Sequence, residues 1–421
     1  MSKGPVLSDD MSSSGIRWTP RARQLGRLLI TLGIVLVLAI AWKTCNHGAV
    51  PAASPGVSAH PTSSSSPSDS SKEMAPATVV WTTGALPTDF GSQLGALPGV
   101  TREVTVAGGT AWLTRSATAD GTVVDSPVVP YGIPLEVFAA DPGAYAPFVP
   151  ASLKKPFTAA LRSGKGVLGQ TSAALRKIGV GGTLQFGHTE VTVAMIVPDA
   201  VVGASELFVS RATGSSLGVS EDSYALLDLS HPTADTVLAA RIQPLVPSGQ
   251  VLRLAAPGKS RYLRPHGEEV PPVFMKVRFG EFDGHPDPAT AGAITIDPVW
   301  AAANIQTRTV PLLGKVTCNV VLFPQLIGAL NEIQNKGLAG AIHSTAGCYA
   351  ARTVSPGTSV ISPHAWGAAI DINPLENITG STPTQDPRIV RIFKSWGFLW
   401  GGDFPIPDGM HFEYLKPPPS G

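Results

Sequence analysis

Surplus charge of either sign is what this chain has least of. Its 31 lysines and arginines nearly balance 30 aspartates and glutamates, leaving a formal net charge of +1. It therefore lacks the basic excess of a nucleic-acid binder, and no nucleic-acid partner is expected. Charged residues make up 14% of the chain against 43% hydrophobic, which fits folded extracellular modules and excludes a wholly disordered polymer. Cysteine is scarce, with three in 421 residues, too few for a fold stapled throughout by disulfides. Long apolar runs are nearly missing as well. The one exception lies near the N-terminus.

That run, residues 28–42, carries no charge and follows Arg17, Arg21, Arg23 and Arg27. The asymmetry keeps residues 1–27 in the cytoplasm as a basic tail and sends the rest outside. As a helix the run spans about 22 Å, short of the roughly 30 Å of hydrocarbon, so Arg27 and Lys43 have to snorkel. A competing reading is a cleaved signal peptide, because Ala39-Ile-Ala41 has the small-x-small form of a cleavage site. The boundary at Trp42-Lys43 favours a retained single-pass anchor in the cell membrane. Either way the remainder is extracellular. Residues 43–76, rich in Ala, Pro and Ser, read as a disordered tether. Cys45 follows Trp42-Lys43-Thr44, which lacks the small residues of a lipoprotein site.

The length leaves room for two or three domains. Residues 77–288 read as an extracytoplasmic domain, β-rich or α+β, of unknown role. Short β-type runs recur there: Thr110–Thr114, Leu135–Ala139, Val191–Val197, Glu206–Ser210 and Val273–Phe279. Phe157–Arg162 and Ser172–Lys177 read as short helices. His188 and His231 are isolated and read as surface or packing residues. The stretch Val167 to Asp199 is similar to the extracytoplasmic domains of MacB/FtsX-type permeases.

Residues 289–416 hold the chemistry and read as α+β. Asp297-Pro298 and Asp386-Pro387 each pair an N-cap with a proline at the first helical position. Leu326, Ile327, Leu330 and Ile333 form the stripe of an amphipathic helix over Pro324–Lys336. These helices are expected to back a small antiparallel sheet carrying Asp371 and His411. Cys318 and Cys348, an isolated pair in an exported chain, read as a disulfide.

His364 and Asp371 lie in Ser362-Pro-His-Ala-Trp-Gly-Ala-Ala-Ile-Asp-Ile-Asn373, and His411 in Asp408-Gly-Met-His-Phe-Glu413. Two imidazoles and a carboxylate are a common three-ligand set for catalytic Zn2+, leaving a fourth position for water. Such a centre suits peptide hydrolysis. Asp408, three residues before His411, is the candidate general base, and Glu413 is its rival or a partner that orients His411. Asn377-Ile-Thr379 matches a glycosylation sequon, a pattern that arises often by chance.

The run from about Asp297 to Tyr414 resembles the zinc peptidases of bacterial cell-wall peptides, the D-alanyl-D-alanine carboxypeptidase and L-alanyl-D-glutamate endopeptidase family (VanY-type). The residues that carry the likeness are Cys348-Tyr-Ala-Ala-Arg352, the Ser-x-His-x6-Asp segment, Gly397-Phe-Leu-Trp-Gly-Gly402 and Asp408-x-x-His-Phe-Glu413. The resemblance implies His364, Asp371 and His411 as zinc ligands and Asp408 as catalytic base. It implies that Arg352 binds the scissile carbonyl or a substrate carboxylate, with peptidoglycan stem peptides as partners. Two alternatives stay open: a metal-bound pseudoenzyme that grips wall peptides, and a membrane-anchored sensor or adaptor working through the middle domain.

Overall fold

A computed structural model of the protein describes residues 76–266 and 269–417. The expected membrane run 28–42 and nearly all of the Ala/Pro/Ser tether lie outside them. Among the described residues no helix is long and apolar enough to cross a membrane. Over the described residues the architecture is mixed α and β: one ten-stranded sheet, two two-stranded ribbons and a four-stranded sheet.

The large sheet runs, edge to edge, Leu252–Ala255, Thr78–Thr82, Asp222–Leu229, Val100–Leu113, Ile133–Ala140, Leu207–Ser210, Gly166–Gly169, Thr189–Val197, Thr183–Phe186 and Arg115–Ala117. Val100–Leu113 shows how one strand serves two cores. Val104 and Val106 alternate onto one face and join the cluster of Tyr145, Phe157 and Phe208. The register with the 222–229 strand then shifts between Val106 and Ala107. The extra residue, Ser223, lies on that partner strand, so the side chains from Val104 to Leu113 keep alternating with period two and the odd positions face the other side. Ala107, Ala111 and Leu113 accordingly pack with Leu135, Val137 and Leu184.

One sequence expectation is corrected. Val273–Phe279 is not a strand but part of the helix Pro272–Phe279. Its alternation of apolar and basic residues suits a half-buried strand, yet proline stands at the first helical position, and Val273, Lys276 and Phe279 are buried at three-residue spacing. Met275, Phe279 and Phe282 belong to the same core as Trp366, Ile370 and Phe412, so this core begins upstream of residue 289.

The remaining helices of this part follow their caps. The Asp297 carboxylate accepts from Val299 N and opens Pro298–Asn304, and the Asp386 carboxylate accepts from Arg388 N and opens Pro387–Ser395. Phe323–Asn335 buries Leu326, Leu330 and Ile333. The small sheet is antiparallel throughout, in the order Thr345–Gly347, Ala369–Ile372, His411–Tyr414, Phe398–Trp400. Cys318 and Cys348 form a disulfide with a Cα–Cα distance of 5.2 Å.

Polar contacts buried between the two parts join them. Lys276 Nζ lies 2.7 Å from Glu206 Oε1 and also donates to the Pro134 carbonyl. Arg176 pairs with Glu206 at 3.3 Å and with Glu281. Burial pushes the Arg176 guanidinium toward losing its proton, but Glu281 and Glu206 outweigh it and hold the charge more firmly than usual. Gly132 and Gly284 exchange backbone hydrogen bonds of 2.8 Å. The sheet domain and the C-terminal part are thus docked through charges that neither could leave unpaired without a large desolvation penalty.

Candidate metal centre

Three elements deliver three side chains to one point. His364 sits in the short turn Pro363–Trp366, where the Ser362 hydroxyl accepts from His364 N at 3.3 Å. Gly367 follows at φ +64°, and a Cβ there would stand 2.5 Å from Asn319 N, so only glycine lets the turn pack this closely. Asp371 lies on the strand Ala369–Ile372, between Ile370 and Ile372, both fully buried on the opposite face. The register pairs Asp371 directly with His411 on the neighbouring strand.

The resulting triangle is tight. His364 Nε2 lies 3.1 Å from His411 Nδ1, and each lies 3.3 Å from Asp371 Oδ1. Tetrahedral zinc bound at about 2.0–2.1 Å sets its ligand atoms roughly 3.3 Å apart. The other ring nitrogens settle which atoms face inward. His364 Nδ1 is 2.7 Å from the Cys348 carbonyl and donates to it, leaving a lone pair on Nε2. His411 Nε2 donates to Glu413 Oε2 at 3.0 Å, leaving Nδ1 turned to Asp371. Two lone pairs and a carboxylate oxygen then converge, and such a set needs a proton or a cation among them. The residues fit zinc, with Glu413 and the Cys348 carbonyl as the outer partners that orient the two imidazoles.

The electrostatics agree with that need. Burial disfavours a charged His411, but Asp371 and Glu413 outweigh it and raise its pKa to about 10. Burial likewise opposes a charged Asp371, and hydrogen bonds from His364 and His411 hold its carboxyl well below the usual range. Without metal, a proton occupies the triangle.

Asp408 is delivered by the loop after Trp400. Its backbone N–H donates to the Gly401 carbonyl at 2.8 Å, and its carbonyl accepts from His411 N at 3.1 Å. Its carboxylate is half-buried, with Oδ1 lacking a hydrogen-bond partner. Burial raises its pKa, against lowering contributions from His411 and from a hydrogen bond with Thr379. Trp400 braces the loop by donating from Nε1 to the Gly409 carbonyl at 2.9 Å.

Arg352 lies beside the segment that leads into His364, its carbonyl accepting from Ser362 N at 3.1 Å. Its Nη1 donates to the Thr353 and Val354 carbonyls at 3.1 and 3.2 Å, and no hydrogen bond or ion pair links its side chain to His364, Asp371 or His411. Two contributors escape a sequence reading. The Cys348 carbonyl is backbone and leaves no signature, although the disulfide fixes its position. Thr379 is visible only as part of the sequon, whose Asn377 is 1% exposed and engaged with Asn373 and Thr384. Of the surface and packing readings left open for His188 and His231, the structure has both residues exposed.

A family model described as D-alanyl-D-alanine carboxypeptidase matches residues 356–414. The match takes in His364, Asp371, Asp408, His411 and Glu413 and stops short of Arg352. The C-terminal part is thus similar to a peptidase over a short segment. No curated protein matches the chain. Among solved structures, the periplasmic region of MacB from Actinobacillus actinomycetemcomitans is 9% identical, covering 44% of this chain and 92% of that one at a TM-score of 0.31. The extracellular domain of the noncanonic ABC-type transporter YknZ from Gram-positive bacteria is 13% identical, covering 40% of this chain and 91% of that one at a TM-score of 0.27. Likenesses this distant say nothing of activity.

Proposed function

We propose that the protein is a zinc-dependent peptidase that hydrolyses peptide bonds in the stem peptides of bacterial peptidoglycan, held outside the cell by an N-terminal membrane anchor. The observation that carries this reading is the triangle of His364, Asp371 and His411, each ligand atom 3.1–3.3 Å from the others, inside the segment similar to a carboxypeptidase. Zinc bound there would lower the pKa of a water and polarise the scissile carbonyl.

Asp408 takes the proton of the attacking water and returns it to the leaving amine. A carboxylate whose pKa burial has raised suits that task better than a fully solvated one. Glu413 is committed to His411 and orients it. Arg352 keeps Nε and Nη2 for a substrate carboxylate or the oxyanion, its Nη1 being anchored to backbone carbonyls.

Elemental analysis tests the metal. The purified wild-type protein is expected to carry about one zinc, and His411→Ala to carry none. A wild type that takes up no stoichiometric metal contradicts the assignment.

A further inference from the structure

The turn that presents His364 is held by two segments, and the Cys318–Cys348 bridge joins them. Cys318 lies near the end of the strand Gly314–Asn319. Its neighbour Asn319 donates from N to the Gly367 carbonyl and from Nδ2 to the Trp366 carbonyl, both at 3.1 Å. Cys348 follows the strand Thr345–Gly347, and its carbonyl accepts from His364 Nδ1 at 2.7 Å. Ala350 N donates to the His364 carbonyl at 3.0 Å. Both half-cystines therefore adjoin atoms that fix the imidazole.

Packing leaves the sulfurs no slack. Cys318 is 0% exposed and Cys348 3%. Cys348 Sγ lies 3.2 Å from the Gly367 carbonyl oxygen, and a Cβ on Gly367 would stand 3.2 Å from the Cys318 carbonyl carbon. A disulfide holds its sulfurs about 2.05 Å apart, whereas nonbonded atoms settle at roughly 3.5–4.0 Å. Two thiols in this space must separate by more than about 1 Å, and a close-packed interior passes that movement to its neighbours. Those neighbours are the Cys348 backbone and the 363–367 turn. Tyr349 N, bonded to the Thr317 carbonyl at 2.9 Å, still ties the two segments, so the shift stays local.

We propose that the Cys318–Cys348 bridge sets the zinc affinity of the site by positioning His364, so that the oxidised chain binds zinc tightly and the reduced chain weakly. The bridge forms by thiol–disulfide exchange. Two thiols give two protons and two electrons to a second disulfide, leaving one S–S bond here and two thiols on the oxidant. Because both sulfurs are buried, the state is fixed while the chain folds. In a reducing compartment the site holds zinc weakly, and in an oxidising one it is completed. The device rests on the metal reading above.

The test refolds the full chain, carrying Cys45→Ser, in oxidised glutathione or in a phosphine reductant and titrates zinc against a competing chelator. Circular dichroism checks the fold. The oxidised chain should bind about one zinc, and the reduced chain, equally folded, should bind it about ten- to a hundredfold more weakly, the usual cost of a lost orienting partner. Cys318→Val with Cys348→Ala roughly keeps the volume and removes thiols that could themselves ligate zinc, so it should match the reduced chain. Affinity equal to the oxidised chain's, in the reduced chain or in the double variant, overturns the proposal and leaves the metal reading intact. Failure of both to fold also overturns it, because the bridge then holds the fold and not the imidazole. An oxidised chain that takes up no zinc overturns the metal reading, and this proposal with it.

Discussion

At the scale of single residues, the division of labour between Asp408 and Glu413 decides whether the site is catalytic. Both are acids near His411, and the sequence left them as rivals. The structure separates them by partner, since Glu413 accepts from His411 Nε2 while Asp408 Oδ1 has no hydrogen-bond partner. Asp408→Asn should therefore keep zinc and fold while lowering turnover by roughly 10²–10⁴-fold, the usual worth of a positioned base. Glu413→Gln should weaken zinc retention by about ten- to a hundredfold, with activity restored by added zinc. A zinc-replete Glu413→Gln enzyme that is dead, beside an active Asp408→Asn, would reverse the roles. The same triangle predicts a pH dependence. His411 in the metal-free protein is raised from 6.5 to about 10, so its proton stabilises the fold fully below pH 6.5 and less as pH rises through 10. Zinc must displace that proton, so its affinity should climb about tenfold per pH unit from neutrality to about pH 10. Competition titrations with a chelator at several pH values measure the slope, and a flat profile would mean that His411 is not a ligand. The meeting of Asp371 with two imidazoles was legible in the sequence in part because an alternating strand isolates Asp371 between Ile370 and Ile372. The inward nitrogen of each imidazole was not, because a backbone carbonyl and a cross-strand register determine it.

At the scale of elements, capping chemistry transferred well from sequence to structure. Asp297-Pro298 and Asp386-Pro387 open their helices as their side chains dictate. Val273–Phe279 did not transfer. Its alternation made Lys276 look like a solvent-facing strand residue, whereas Lys276 is 2% exposed and paired with Glu206, 70 residues away in sequence. Local pattern carries no information about such a partner. Gly367 shows the converse, a local residue choice fixed by a distant contact. Gly367→Ala would force a Cβ against Asn319 N in a left-handed conformation, shifting the turn that presents His364. Loss of stability of about 1–3 kcal/mol and weaker zinc binding should follow, read by thermal melting and metal titration. A variant with unchanged zinc affinity would show that the turn has slack.

At the scale of the whole molecule, the sheet domain is not a spacer loosely strung before the C-terminal part. Lys276, Glu206, Arg176 and Glu281 form a buried ionic cluster across the seam, and Met275, Phe279 and Phe282 supply part of the C-terminal core. The seam could not be read from sequence, since it joins residues far apart whose charges look solvated one at a time. A fragment beginning at residue 290 lacks those core residues, so activity has to be measured on the docked pair. The most direct measurement is digestion of purified peptidoglycan by the chain from residue 76 onward, with products identified by mass spectrometry. The account predicts stem peptides shortened by a terminal D-alanine or cut within the stem, products lost on chelation and regained with zinc. Stem peptides of unchanged mass after incubation with zinc-loaded protein would contradict it.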